Sequence, residues 1–305
     1  MKFGCSMIVR GKHATQENVR ALALNAEAWG FDSLWASDHI ILPPLVTSYY
    51  PASSDGQLPD LWLERYFEPM AILNYVAGLT QRVQLGVSVL ILPMRNPIEV
   101  AKEIAGADVL SQGRIIFGVG VGWFKEEFDV LNEPFHERGQ RMDEYLEICK
   151  TLWTQEPATY NGQFYQFQEA RFAPKPTQKP HPPIWVGGQS PAAIRRAVRY
   201  GDGWHPFALP PEGFKPVMDQ FRTAMHESGR SLQEVEVSLR VRLRFGAGAD
   251  PQPPLHGSPE QVVDTIKQYE ALGVQHLIID AIPETIDNVL SAFECFAQEV
   301  MPAVR

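Results

Sequence analysis

The sequence lacks the long apolar runs and the basic clusters that are typical of membrane proteins and nucleic-acid-binding proteins. No window approaches the roughly 18 consecutive apolar residues of a membrane-spanning helix. The 36 acidic residues outnumber the 27 basic ones, for a formal charge of -9, and no run of lysine or arginine is available to follow a phosphate backbone. We therefore expect a soluble protein that binds neither a membrane nor nucleic acid.

Cysteine is scarce as well. Cys5, Cys149 and Cys295 lie far apart, are odd in number and have no metal-type spacing, so we expect reduced, buried thiols. Only seven residues separate Lys2 from Arg10, which is too short for the apolar region of a secretory signal. These two features predict a cytoplasmic location.

What the sequence does contain is an alternation of short apolar or β-branched runs with segments of helical period. The eight runs cover residues 3–8, 33–36, 83–89, 115–119, 184–186, 203–206, 236–243 and 276–279. The pattern predicts parallel strands joined by helices, and eight such units in 305 residues predict a single (β/α)8 barrel domain over residues 1–305. The helix after the seventh run is expected to begin at Ser258 and to end at Gly273.

Two insertions interrupt this rhythm. Residues 41–66, after the second run, are rich in Pro, Ser, Asp and aromatics. Residues 160–183, before the fifth run, suggest a hairpin followed by a proline-rich segment that leads into the fifth strand. An insertion that follows a barrel strand lies on the active-site face. Tyr49, Tyr50 and Trp62 of the first insertion therefore belong either to a lid or to a structural loop over the core.

Chemistry in such barrels is built at the carboxyl ends of the strands. The predicted ends carry Asp38 and His39, Ser88, the stretch "GVGVGW", the stretch "GGQS", Trp204 with His205, and Asp280. No lysine ends a strand, which argues against Schiff-base chemistry, and no cluster of His, Cys and carboxylates offers a metal site. The sequence predicts no metal.

Glycines mark the ends of the fourth and fifth runs. Gly120, Gly122, Gly187 and Gly188 would let backbone N–H groups approach an anion, which predicts a phosphate seat; close packing of strands and helices is the alternative. Ser190 is expected either to contact that phosphate or simply to cap the next helix. "GVGVGW" lacks the third glycine of a dinucleotide fingerprint.

Four stretches together resemble the bacterial luciferase-like family of flavin and deazaflavin oxidoreductases, whose members are (β/α)8 barrels. They are "GFDSLWASDH", "LGVSVLILPMRNPIEVAKEIAGADVLSQGRIIFGVGVGWFKEEF", "RMDEYLEICKTLW" and "APKPTQKPHPPIWVGGQSPAAIRRAVRYGDGW". The resemblance covers nearly the whole chain, and the order of these stretches makes it specific.

The resemblance implies that a flavin or deazaflavin ring lies across the barrel mouth. His39 matches the histidine that faces the reactive centre of the ring, with a structural histidine as the alternative. Asp38, its neighbour, is expected either to orient His39 or simply to cap the backbone of a loop. Ser88 and Val89 match a pair around a non-proline cis peptide bond behind the ring. The remaining implied cofactor contacts are Gly120, Val121, Gly122, Gly187, Gly188, Gln189 and Ser190 around the phosphate, with Trp204 and His205 expected beside the ring.

The family divides between enzymes that use FMN to activate oxygen and enzymes that use coenzyme F420, a 5-deazaflavin restricted to hydride transfer. The phrases "SDH", "GVGVGWFKEEF" and "IWVGG" favour F420, with an FMN monooxygenase fed by a separate reductase as the alternative. The sugar-phosphate dehydrogenases of the F420 branch carry a catalytic glutamate where this chain has Trp123. That departure favours a small apolar or aromatic substrate. By analogy with the family we expect a homodimer.

Overall fold

The computed structural model of the chain describes residues 1–50, 56–57, 65–246, 253–281 and 285–305. The strands are β1 (Lys2–Ser6), β2 (Ser33–Ala36), β3 (Gln84–Val87), β4 (Leu90–Ile91), β5 (Ile115–Gly120), β6 (Ala158–Asn161), β7 (Gln166–Ala170), β8 (Ile184–Gly187), β9 (Gly203–His205), β10 (Glu236–Phe245), β11 (Leu255–Gly257) and β12 (His276–Ala281). The α-helices are α1 (Gln16–Ala28), α2 (Pro69–Ala77), α3 (Pro97–Leu110), α4 (Lys125–Val130), α5 (Arg138–Thr154), α6 (Pro191–Tyr200), α7 (Pro211–Glu227), α8 (Pro259–Leu272), α9 (Ile286–Cys295) and α10 (Met301–Val304).

Within these residues, eight parallel strands close into a barrel in the order β1, β2, β3, β5, β8, β9, β10 and β12, and β12 pairs with β1 again. Each strand is joined to the next by a segment that contains at least one helix. All eight strands coincide with the eight apolar runs, so the predicted (β/α)8 barrel is confirmed.

Local sequence signals fix several helix ends. Ser258 caps α8 with a full capping box and Pro259 at the first position, and Gly273 ends the helix with a left-handed φ of 100°. The expected bounds of this helix are therefore confirmed.

The barrel interior is filled by aromatic side chains at mid-height. The indoles of Trp35 and Trp185 lie 4.9 Å apart, and they pack with Ile116 and Ile278. A Cβ at Gly203 would overlap the Trp185 ring, so the strand needs glycine there. Because this layer plugs the barrel, the open space lies above it, at the carboxyl ends of the strands.

Four further strands lie outside the eight apolar runs that form the barrel. Strands β6 and β7 form the hairpin expected before the fifth barrel strand. The short strands β4 and β11 extend the ladders of β5 and β10 and were not expected.

Cys5 and Cys149 are buried free thiols, whereas Cys295 is only half-buried. Among the described residues, no helix has both the length and the apolar character needed to cross a bilayer.

Candidate active site

A cavity of about 270 Å³ opens at the carboxyl ends of the barrel strands. Its walls carry residues that lie in or directly after seven of the barrel strands, together with Arg10, which lies four residues beyond the end of β1. The expected site residues that line it are Asp38, His39, Ser88, Val89, Gly120, Val121, Gly122, Gly187 and Gly188. The fold thus brings these predicted residues of four strand ends into one space.

His39 is held by a carboxylate from α4. Its Nδ1 lies 2.7 Å from Glu127 Oε2, and the two side chains are only 8% and 1% exposed. The other Glu127 oxygen accepts hydrogen bonds from the N–H groups of Ile40 and Ile41 at 2.6 and 3.1 Å. Because Glu127 is fixed in this way, its bond favours the His39 tautomer with the proton on Nδ1, and Nε2 is the nitrogen suited to proton transfer.

Asp38 does not orient His39, which corrects the sequence-based expectation. Its two oxygens accept a bidentate pair of hydrogen bonds from Arg95 at 2.7 and 2.8 Å, and Oδ2 also accepts the Ile91 N–H at 2.8 Å. The Asp38 carboxylate is fully buried. It therefore positions the segment after β3, and the orienting role passes to Glu127.

The peptide bond between Ser88 and Val89 is cis, as the resemblance implied. The Val89 side chain occupies the space beside two of the glycines. A Cβ on Gly187 would lie 2.7 Å from Val89 Cγ1, and a Cβ on Gly120 would overlap Cγ2. Gly120 and Gly187 therefore serve close packing against Val89, the alternative left open by the sequence, rather than direct access for an anion.

The other two glycines turn the chain at the ends of β5 and β8. Gly122 and Gly188 have φ values of 81° and 104°, which side-chain-bearing residues rarely adopt. The Gly188 N–H already donates to the His205 carbonyl at 3.1 Å. The N–H groups of residues 121–123, by contrast, have no hydrogen-bond acceptor within the described ranges, and all three residues line the cavity. Successive donors of this kind suit a phosphate, and the predicted phosphate site at the end of β5 stays a prediction.

Trp204 does not wall the cavity. Its indole is buried outside the barrel, with its ring centroid 4.4 Å from that of Phe221 on α7, and its Nε1 donates to the Gly188 carbonyl at 2.9 Å. Successive side chains of a strand point to opposite faces, so the next residue of β9, His205, faces the cavity instead. This corrects the expected ring contact of Trp204.

Gln189 and Ser190 also lie outside the lining of the cavity. The Ser190 Oγ accepts the N–H of Ala193 at 3.2 Å, which is the capping role. The Gln189 Oε1 accepts the N–H of Phe207 at 3.3 Å. The capping role of Ser190 is therefore confirmed, and a phosphate contact of Gln189 or Ser190 stays a prediction.

His205 forms part of the cavity floor as a neutral imidazole. Its Nδ1 lies 2.7 Å from Ser238 Oγ and its Nε2 lies 2.7 Å from Ser88 Oγ. Since Ser238 donates its own proton to the Trp204 carbonyl, it accepts the proton of Nδ1, and Nε2 accepts the Ser88 hydroxyl. Burial, together with the charge of Arg240, lowers the pKa of His205 from 6.5 to about 3. His205 therefore fixes the Ser88 hydroxyl and carries no charge.

Arginines that the sequence analysis missed line the opposite side of the mouth. Arg240 donates to Asp280 Oδ2 at 2.9 Å, and Arg10 approaches the same oxygen at 3.5 Å. Burial raises the pKa of Asp280, but the positive charges of Arg240, Arg10 and Arg242 outweigh it and bring the pKa to about 2. The signal was present in "SLRVRLR", where every second side chain of β10 points inward.

The first insertion covers part of the cavity. Tyr50 is buried, lines the cavity and packs on Trp123 with ring centroids 5.1 Å apart. Tyr49 is 63% exposed, and Trp62 lies outside the described residues. A covering role is therefore observed for Tyr50, and movement of the insertion as a lid stays a prediction.

A second carboxylate of α4 anchors this insertion. Glu126 accepts hydrogen bonds from the N–H groups of Thr47 and Ser48 at 2.6 and 2.9 Å, and from the Ser48 hydroxyl at 2.6 Å. Partial burial raises its pKa, but these bonds outweigh that effect and lower the pKa to about 2. The adjacent acids Glu126 and Glu127 thus connect one short helix to the insertion and to His39.

A (β/α)8 barrel whose mouth combines a buried histidine–carboxylate pair with a row of N–H donors is the architecture of a small-molecule enzyme. A profile of the luciferase-like monooxygenase family matches residues 1–252. The chain belongs to this family, so the resemblance seen in the motifs is confirmed.

Relatives within the family divide by cofactor. An uncharacterized protein of Mycobacterium tuberculosis is 32% identical over 294 residues, which cover 93% of this chain and 94% of that protein. An F420-dependent glucose-6-phosphate dehydrogenase of Kineococcus radiotolerans is 30% identical over 73% of this chain and 62% of its own length. An FMNH(2)-dependent dimethylsulfone monooxygenase of Pseudomonas putida is 33% identical over 54% of this chain and 46% of its own length.

Solved structures agree on the fold. A crystallised F420-dependent secondary alcohol dehydrogenase aligns with a TM-score of 0.80 at 19% identity, covering 100% of this chain and 99% of that one. Identity this low supports the architecture alone. Together with the family match, the neighbours confirm a luciferase-like barrel among F420- and FMN-dependent oxidoreductases.

Proposed function

We propose that this protein is an F420-dependent oxidoreductase that moves a hydride between the deazaflavin and a small organic substrate, with His39 as the proton donor or acceptor. The observation that carries the proposal is the His39–Glu127 pair, buried at 2.7 Å in the wall of the cavity. A histidine held by a carboxylate on one nitrogen is prepared to exchange a proton on the other. Relatives with named activities use F420 or reduced FMN.

The cavity has the features that a phosphorylated tricyclic cofactor requires. We infer that the N–H groups of residues 121–123 hold the phosphate and that Val89, which lines the cavity, supports the ring. The His205–Ser88 hydrogen bond offers a fixed, uncharged polar floor beside it. The cofactor, when bound, supplies or accepts the hydride.

The protein's own groups would handle the accompanying proton. His39 Nε2 takes the proton from a substrate hydroxyl or returns it to a carbonyl oxygen, while Nδ1 keeps its bond to Glu127. The buried Glu127 carboxylate stabilises the imidazolium that forms. Tyr50 and Trp123 exclude water from the mouth and contact the apolar part of the substrate.

The alternative function is an FMN monooxygenase that uses oxygen and a partner reductase, as the name of the dimethylsulfone relative suggests. The motifs "SDH" and "GVGVGWFKEEF" favour F420.

A homodimer and a cytoplasmic location stay predictions. Ile40, Ile41 and Leu45 are exposed apolar residues that a second copy of the chain would cover.

The test of this function is a substitution at His39. His39→Ala should lower turnover about 100- to 10,000-fold, the range for loss of a general acid or base, while the F420 affinity stays within about threefold. His39→Ala with unchanged turnover would remove His39 from the chemistry. Tight binding of FMN with no binding of F420, together with oxygen consumption, would replace the F420 proposal by the FMN one.

A further inference from the structure

The mouth of the barrel carries more positive than negative charge, although the whole chain has a formal charge of -9. Among the described residues that line the cavity, Arg10, Arg240 and Arg242 are positively charged, and Asp38 and Asp280 are negatively charged. Asp38 is paired with Arg95, which lies outside the lining and is also 3.7 Å from Glu68. Around Asp280 the described residues therefore leave an excess of positive charge, with three guanidinium groups beside one carboxylate.

Arg242 is the source of this excess. Arg95 is paired with Asp38, and Arg10 and Arg240 share Asp280. Arg242 lies level with Asp280 in the β10–β12 register, is half-buried and lines the cavity. No hydrogen bond or ion pair joins its guanidinium to another residue in the part of the chain that the structure describes. The charge of Arg242 does act on Asp280, but this single carboxylate already accepts the hydrogen bond of Arg240 and lies near Arg10, so an anion beside Arg242 would be stabilised.

We propose that the substrate carries an anionic group, a carboxylate, phosphate or sulfonate, and that Arg242 binds this group. The inference rests on the proposed function and deepens it, because it names the class of substrate. Tyr50 and Trp123 lie at the same mouth and cover the apolar remainder of the molecule. The substrate is then an apolar or aromatic molecule with one acidic end.

The cofactor also carries anionic groups, and the strand order separates the expected site of its phosphate from the site of an anionic substrate group. The N–H groups of residues 121–123 lie at the end of β5, whereas Arg242 lies on β10, three strands away in the closed order of eight. Arg242 lies beside β12. A ring whose phosphate occupies the β5 end leaves the Arg242 side to the substrate.

Small anions and a neutral isostere test the proposal directly. Benzoate, phenyl phosphate and benzamide are titrated against F420-loaded protein, with binding followed by ligand-observed NMR. The two anions should bind at least about tenfold tighter than benzamide. Arg242→Gln should weaken anion binding about 10- to 100-fold, as expected for a lost charged hydrogen bond, and should leave benzamide and F420 affinity within about twofold. Arg242→Lys should keep part of the preference.

The matched control is Arg195→Gln, which removes an exposed arginine outside the cavity and should change nothing. Equal or undetectable binding of anions and amide by the wild-type protein overturns the proposal. So does an Arg242→Gln variant that loses F420 affinity by the same factor as anion affinity, because Arg242 then serves the cofactor. If the protein binds no F420, the proposed function fails, and the anion preference is decided on FMN-loaded or cofactor-free protein.

Discussion

Arg114 and Arg242 show how differently the two ends of the barrel use the same side chain. At the amino end, Arg114 donates to the carbonyls of Ala77, Thr80 and Val83 at 2.9 to 3.1 Å, and to that of Ser111 at 2.8 Å. At the carboxyl end, Arg242 faces a cavity and bonds to no described residue.

The charged residues at the amino end of the barrel serve the stability of the fold, whereas those at the carboxyl end serve its function. Charged groups at the amino end close loops: Glu27, for example, accepts the N–H groups of residues 81–83, and these bonds, against partial burial, lower its pKa. Charged groups at the carboxyl end surround open space. Substitutions at the first end should therefore change folding, and substitutions at the second should change binding and turnover.

The largest expected effect on folding is at the amino end. Arg114→Met leaves several carbonyls without donors, so the free energy of unfolding should fall by about 2–4 kcal/mol. Arg242→Gln should change it by less than about 0.5 kcal/mol. Urea unfolding followed by circular dichroism measures both values, and similar losses for the two variants would contradict the comparison.

The next effect concerns the histidine–carboxylate pair. Glu127→Gln keeps acceptors for Ile40 and Ile41 but removes the charge beside His39, so kcat should fall about 10- to 100-fold while F420 affinity changes little. The NMR resonance of the His39 Nδ1 proton should shift or disappear. Asp129→Asn, on the exposed face of the same helix, is the control and should keep both kcat and the resonance. A loss of F420 affinity without a change in kcat would show that Glu127 only supports the loop.

The smallest effect is a pH dependence of stability. The unfolded chain protonates His205 near pH 6.5, whereas the folded protein holds its pKa at about 3. Between these values the unfolded state binds the extra proton, so the stability present above pH 6.5 is lost progressively as the pH falls toward 3. His205→Gln should flatten this slope between pH 7 and 5. Part of the slope should persist, since burial also lowers the pKa of His276. An unchanged slope would contradict the assignment of His205 as a buried neutral group.

Much of the fold was predictable because it depends on local patterns. Eight apolar runs gave eight strands, and the Ser258 and Gly273 signals gave both ends of α8. The short strands β4 and β11 were not predictable, because two or three residues extend an existing ladder and carry no period of their own.

The residues at the strand ends were predictable from the sequence, but the contacts between side chains of different elements were not. The family resemblance implied the place of His39 and the cis bond at Ser88, but the partner of His39 is 88 positions away on a short helix. Local reasoning chose the adjacent Asp38, whereas tertiary packing chose Glu127. The same holds for the arginines of β10. The alternation along the strand shows which side chains face inward, but only the closed barrel shows which carboxylates lie next to them.

One measurement tests the central claim most directly: a crystal structure of the protein with bound F420. The account predicts the deazaflavin ring in the cavity within hydrogen-bond reach of His39, the phosphate on the N–H groups of residues 121–123, and Arg242 clear of the cofactor. A cofactor bound elsewhere, or one whose phosphate lies on Arg242, would contradict it.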